Sequence, residues 1–264
     1  MIKMLQDFDS AEPIEKYIDI NSPLPENFLD IVDKRISYLK EHKPKNLNQE
    51  LGYLAATGSI GWWWWHDKRD HEEGIDEKTK EAYSKQIKEF AALEAYITTS
   101  ATKDGAKKAG EYLLHATKLH DDIEEAEDAE KITDISALWK KNVIPNLKGY
   151  FSSCGLDENI GEHRSDFWLA HHDGNYDRAS EAYANEIREI LKAETEQYRQ
   201  YNCTIDRCKK NIADTVKLHD SKEKGWQNDA HIKFNEFWTE LFNLRNSYTL
   251  PYDRTGNYNL KKPV

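Results

Sequence analysis

The segment DEKTKEAYSKQIKEFAALEAYITT (Asp76–Thr99) carries apolar residues at Tyr83, Ile87, Phe90, Leu93, Tyr96 and Ile97, in steps of three and four. That period places them on one face of an α-helix and the charged residues on the other. The pattern recurs outward in both directions. Upstream, Phe28, Ile31, Val32, Ile36 and Leu39 predict a helix from Pro25 to about Glu41. Downstream, Tyr112, Leu113, Ala116, Leu119 and Ile123 predict another from Asp104 to about Glu127. Asp134 stands where a capping side chain would start a helix carrying Ile135, Leu138 and Val143, which Pro145 is expected to kink or end. Ala179, Tyr183, Ile187, Ile190 and Tyr198 mark a helix over about 176–201, and two more follow at about 203–220 and 226–247.

Proline marks the boundaries. Six of the seven prolines lie within residues 1–44 or 251–263, and Pro145 alone interrupts the stretch between. With few glycines and no Asn-Gly or Asp-Gly hairpin signal, helix follows helix. The sequence therefore predicts an all-α protein, a multi-helix bundle of about eight helices over residues 25–250, with irregular arms at 1–24 and 251–264. Gly174-Asn-Tyr-Asp-Arg-Ala-Ser-Glu-Ala-Tyr183 is similar to the turn of a tetratricopeptide repeat, but no second copy follows at that period, so it reads as a single helical hairpin.

Of the 264 residues, 32% are charged and 11% aromatic, and the net charge is −11. So many aromatics argue against a disordered chain. The negative charge gives no general attraction to nucleic acid or acidic membranes. Cys154, Cys203 and Cys208 are odd in number and sparse, as free thiols of a cytoplasmic protein would be. No apolar core of a signal peptide and no membrane-spanning run is visible, so no membrane partner is expected.

Trp62-Trp63-Trp64-Trp65 is the most unusual feature. Four consecutive side chains point around a helix, so the segment is either buried on several sides or partly a contact surface. In the second case Trp62, Trp63, Trp64 and Trp65 bind a protein partner, with Tyr252 and Tyr258 of the tail as further contacts.

The run Arg164-Ser-Asp-Phe-Trp-Leu-Ala-His171-His172-Asp173 spaces a guanidinium and an imidazole by nearly two helical turns, on one face. Facing open solvent, such a pair suits phosphodiester chemistry, with the ring moving a proton and the cation holding phosphate. This run resembles the signature of HEPN-domain proteins, an all-helical family common in toxin–antitoxin and abortive-infection systems. The resemblance covers about residues 105–200, and Ala170-His171-His172-Asp173 before a turn looks like the abortive-infection branch. Ser165 departs from the Asn, Asp or His commoner at its position. The resemblance implies a metal-independent ribonuclease using the ribose 2′-hydroxyl. It further implies Arg164 and His171 as the catalytic pair, His172 as an alternative to His171, RNA as substrate, and a homodimer.

Three other readings compete. Leu119-His120-Asp121-Asp122-Ile123-Glu124-Glu125 looks like the first Asp-rich motif of isoprenoid synthases, which implies Mg²⁺. Asn228, Asp229 and Glu236 are loosely similar to the second motif of terpene cyclases, with Ile232 where a Ser or Thr ligand belongs. His115, His120 and His171 or His172, with acidic residues such as Asp121 and Asp122, could instead hold a transition metal, His120-Asp121 and His172-Asp173 being His-Asp doublets of the kind metal phosphohydrolases use. Last, an acidic, aromatic-rich helical chain could act without catalysis, as an immunity, inhibitor or adaptor protein for a basic partner.

Overall fold

The computed structural model describes residues 19–128, 134–194 and 198–249. Of the expected arms, residues 1–18 and 251–264, and with them Tyr252 and Tyr258, lie outside the described residues. Within them the chain forms nine helices and no strand, an all-α bundle as the periodicity predicts. They are α1 (Phe28–His42), α2 (Leu47–His71), α3 (Glu77–Thr98), α4 (Lys103–Asp128), α5 (Ile135–Ser153), α6 (Ile160–His172), α7 (Tyr176–Glu194), α8 (Tyr198–Ser221) and α9 (Trp226–Thr249). No helix among the described residues is long and apolar enough to cross a membrane.

From α2 onward each helix packs on the next, and α9 closes the cycle by packing back on α2. The local starts are those the sequence encodes: Asp76 accepts from the Thr79 amide at 2.8 Å, and Asp134 from the Ala137 amide at 3.0 Å. Pro145 does not end α5, which continues through it to Ser153. Val143, Leu147, Tyr150 and Phe151 are buried on both sides of the proline. Their burial outweighs a missing backbone hydrogen bond, a defect of about 3 kcal/mol.

The tryptophan run sits inside α2, which is the core helix of the bundle. Trp62, Trp63 and Trp65 are buried and Trp64 is half-buried, so the run is not a contact surface. The reason is crowding from several directions. Trp63 packs on Phe167, His171, His219 and Phe234; Trp65 on Tyr83; Trp64 on Trp226. Such packing needs close approach at the preceding turns. A methyl group on Gly58 would lie 2.5 Å from the Glu94 amide nitrogen, and one on Gly61 2.0 Å from the Phe90 ring. Among the described residues, Tyr112 and Ile232 are the large apolar side chains left exposed.

Candidate functional site

Arg164 and His171 do lie on one face of α6, but that face looks into the bundle. The expectation that both emerge into solvent is corrected here. Arg164 is 2% exposed. Its Nε donates to Glu186 at 2.6 Å, and its Nη2 donates to Glu186 at 2.7 Å and to Glu94 at 3.1 Å. Glu94 accepts in addition from the Trp62 indole at 2.8 Å. Tyr150, Phe151 and Tyr183 pack around the guanidinium. Burial raises the Glu94 carboxyl above the ordinary carboxylate range, against the pull of Arg164. A cation buried in the core and paired with two carboxylates is out of reach of a phosphate in solvent.

His171 meets a different set of groups. Its Nε2 hydrogen-bonds Asp220, and its ring packs on Trp63 and against His219. His172 stands outside this contact, 3.6–3.7 Å from Glu127 and Glu124 and 3.5 Å from Asp173. Neither imidazole pairs with Arg164, and both stand beside carboxylates.

His171 belongs to a constellation that no single motif reveals. His66, His120, His171 and His219 line one cavity of about 50 Å³, walled by Trp62, Trp63, Phe167, Trp168 and Thr117. These histidines fall into two sets of possible ligands, each with one carboxylate: His66, His120 and Asp121, and His171, His219 and Asp220. In the first, Asp121 accepts from His66 at 3.0 Å, from His120 at 3.2 Å and from Arg69. Burial opposes ionisation of Asp121, but these partners hold its carboxyl well below the usual range. Burial likewise opposes charge on His120, yet Asp121 and Glu124 outweigh it and raise the ring to about 9. In the second set Asp220 receives His171 and the Tyr176 hydroxyl, which lower its carboxyl despite burial. His219 is driven the other way: burial, only partly offset by Asp220, lowers it to about 4. Its Nδ1 is buried without a hydrogen-bond partner and lies 3.6 Å from Asp220 Oδ1.

The two sets are built alike. Trp62-Trp63-Trp64-Trp65-His66 on α2 and Phe167-Trp168-Leu169-Ala170-His171 on α6 share an aromatic, a tryptophan, two residues and a histidine. Lys118-Leu119-His120-Asp121 on α4 recurs as Lys217-Leu218-His219-Asp220 on α8. His120 meets Trp139 of α5 edge-on at 5.1 Å, and His219 meets Trp226 of α9 edge-on at the same distance. Glu94 of α3 and Glu186 of α7 both reach Arg164. Helices α2–α5 and α6–α9 thus place like side chains at like positions. This paired signal could have located His66, His219 and Asp220, which reading one motif at a time misses.

Of the metal alternative His115, His120, Asp121 and Asp122, the structure brings together His120 and Asp121 but leaves His115 and Asp122 exposed. The helix turns the two pairs to different faces. The synthase motifs do not converge either: Asn228, Asp229, Ile232 and Glu236 lie on the solvent side of α9. Cys154 and Cys208 are buried free thiols and Cys203 an exposed one.

No family model, curated protein or solved structure matches this chain.

The raised ring of His120 gives a testable pH dependence. A histidine held above its unfolded value of about 6.5 stabilises the fold fully below that pH, and the contribution is lost as pH rises through about 9. His120→Gln is expected to cost about 1–3 kcal/mol at neutral pH, progressively less as pH rises toward about 9, and little beyond it. Urea midpoints measured across that range check it. A deficit that is constant from neutral to alkaline pH contradicts the assignment.

Proposed function

We propose that this chain is a non-enzymatic binding protein that receives a positively charged protein partner at the pole where α2, α4, α6 and α8 end. The observation that carries the reading is the concentration of carboxylates there. Asp122, Glu125 and Asp128 on the last turns of α4 and Asp173 at the end of α6 are exposed. Glu124 and Glu127 stand beside them with His172 between the two helices. Asp121 and Asp220 add two further carboxylates behind the histidines, so the pole attracts cations and repels phosphates. The same fact weakens the case for RNA: His171 faces Asp220, and Arg164 is sealed in the core.

The test compares two variants with equal charge removed. One replaces Asp122, Glu125, Asp128 and Asp173 by their amides. The other does the same to Glu41, Asp104, Glu111 and Glu158, which lie toward the opposite end and are also exposed. Poly-L-lysine and a single-stranded RNA are titrated against each at low ionic strength. Four exposed charges at about 0.3–0.5 kcal/mol each predict about tenfold weaker poly-L-lysine binding for the first variant and little change for the second. No binding of RNA is expected. Equal weakening in both variants shows that the pole has no special role, and RNA binding lost with the first variant reverses the reading.

A further inference from the structure

We propose that His171, His219 and Asp220 form a binding site for a divalent transition-metal ion of the zinc and cobalt class. This inference does not rest on the docking of a basic partner at the rim.

The donor set suits such an ion. Two imidazole nitrogens and one carboxylate oxygen lie within 4.8 Å of one another. Three protein ligands of this kind, with a fourth position left for water, is the pattern of open zinc sites. The fourth position has space here, because the cavity of about 50 Å³ borders both rings and exceeds what one water needs. The Nδ1 of His219 is a buried polar atom with no hydrogen-bond partner, a condition that proteins rarely leave unexplained. A metal ion satisfies it. The carboxylate is oriented from behind by the Tyr176 hydroxyl, as outer partners orient metal ligands. Trp63, Phe167 and Trp226 close the sides with apolar surface. On binding, the ion takes the place of the hydrogen between His171 Nε2 and Asp220; a neutral ring carries that hydrogen on Nδ1 instead, and a doubly protonated ring gives it up to solvent.

The like-built first set shows why the two are not equivalent. There Arg69 already donates to Asp121, so a guanidinium sits where a second cation would have to approach. Among the described residues no lysine or arginine pairs with Asp220. The structure therefore assigns one ion per chain, not two.

The experiment uses the full chain, stripped with a chelator and titrated with Co²⁺ and then Zn²⁺. Expected are one equivalent bound, the intense visible absorption of four- or five-coordinate cobalt, and its loss when zinc displaces it. His171→Gln and Asp220→Asn are each expected to weaken uptake by at least about 100-fold, beyond the range of an outer-partner change. Tyr176→Phe, which leaves all three ligands in place, is expected to weaken it about tenfold, and serves if Asp220→Asn fails to fold by circular dichroism. His66→Gln should retain the metal. Absence of binding, the faint spectrum of six-coordinate cobalt unchanged by these variants, or loss of the ion in His66→Gln with retention in Asp220→Asn overturns the assignment. The rim variants that test partner docking leave all three ligands in place and are expected to take up cobalt normally, so the two proposals fail separately.

Discussion

Arg164→Met is expected to destabilise the protein by about 3–5 kcal/mol or to prevent folding, without altering any activity toward RNA. Removing one member of a buried ionic group leaves the others uncompensated in a medium that solvates charge poorly. Here the survivors are two carboxylates, Glu94 and Glu186, both in the core. The loss has a pH signature. Without the guanidinium, both carboxyls fold best in their protonated form, so their folded pKa values exceed the unfolded ones. Such groups favour the fold below the unfolded value, and that contribution disappears as pH rises through the folded value. The deficit of Arg164→Met should therefore shrink as pH falls toward 5, and Glu94→Gln with Glu186→Gln should recover part of it at neutral pH. Chemical denaturation of the three variants across pH measures this. A deficit below about 1 kcal/mol, or one that grows in acid, shows that Arg164 is not the centre of this network.

That expectation reverses the most natural reading of the sequence, and the reason is instructive. A spacing of seven fixes which residues share a helical face, and Arg164 and His171 do share one. It does not fix whether the face looks outward. Phe167 and Trp168, between them in the run, are buried and lie on the same turns, and they signal a core face as clearly as any residues in the chain. An arginine on such a face is tolerated only if carboxylates come to it, and these come from α3 and α7, far apart in sequence. Element type was legible throughout because apolar period is a local property. That α5 does not end at Pro145 was not legible for the opposite reason, since burial on both its sides is a tertiary effect. The His–Asp sets were partly legible. Each half carries the same pair of short motifs, but a doublet such as His120-Asp121 acquires meaning only when its recurrence at His219-Asp220 is seen.

The tryptophan run leads to the second large effect. Trp63→Ala is expected to cost about 3–5 kcal/mol, the range for deleting a buried aromatic side chain. Trp63 is 5% exposed and forms the shared wall between Phe167, His171, His219 and Phe234. Its removal joins the void of an indole to the existing cavity of about 50 Å³. Part of the new wall is aromatic and dry, so the space should accept an apolar ligand in place of the lost ring. Added indole is therefore expected to raise the melting temperature of Trp63→Ala in proportion to the logarithm of its concentration above the dissociation constant, and to leave the parent protein unchanged. Thermal scans with and without indole measure both effects. A contact-surface tryptophan behaves differently: truncation would leave stability within about 0.5 kcal/mol, and indole would do nothing. The enlarged cavity also removes the ring stacked beside His171, freeing the imidazole to turn away from Asp220. Trp63→Ala should accordingly bind cobalt more weakly even after indole restores its stability, because the added indole fills space without holding the histidine in place.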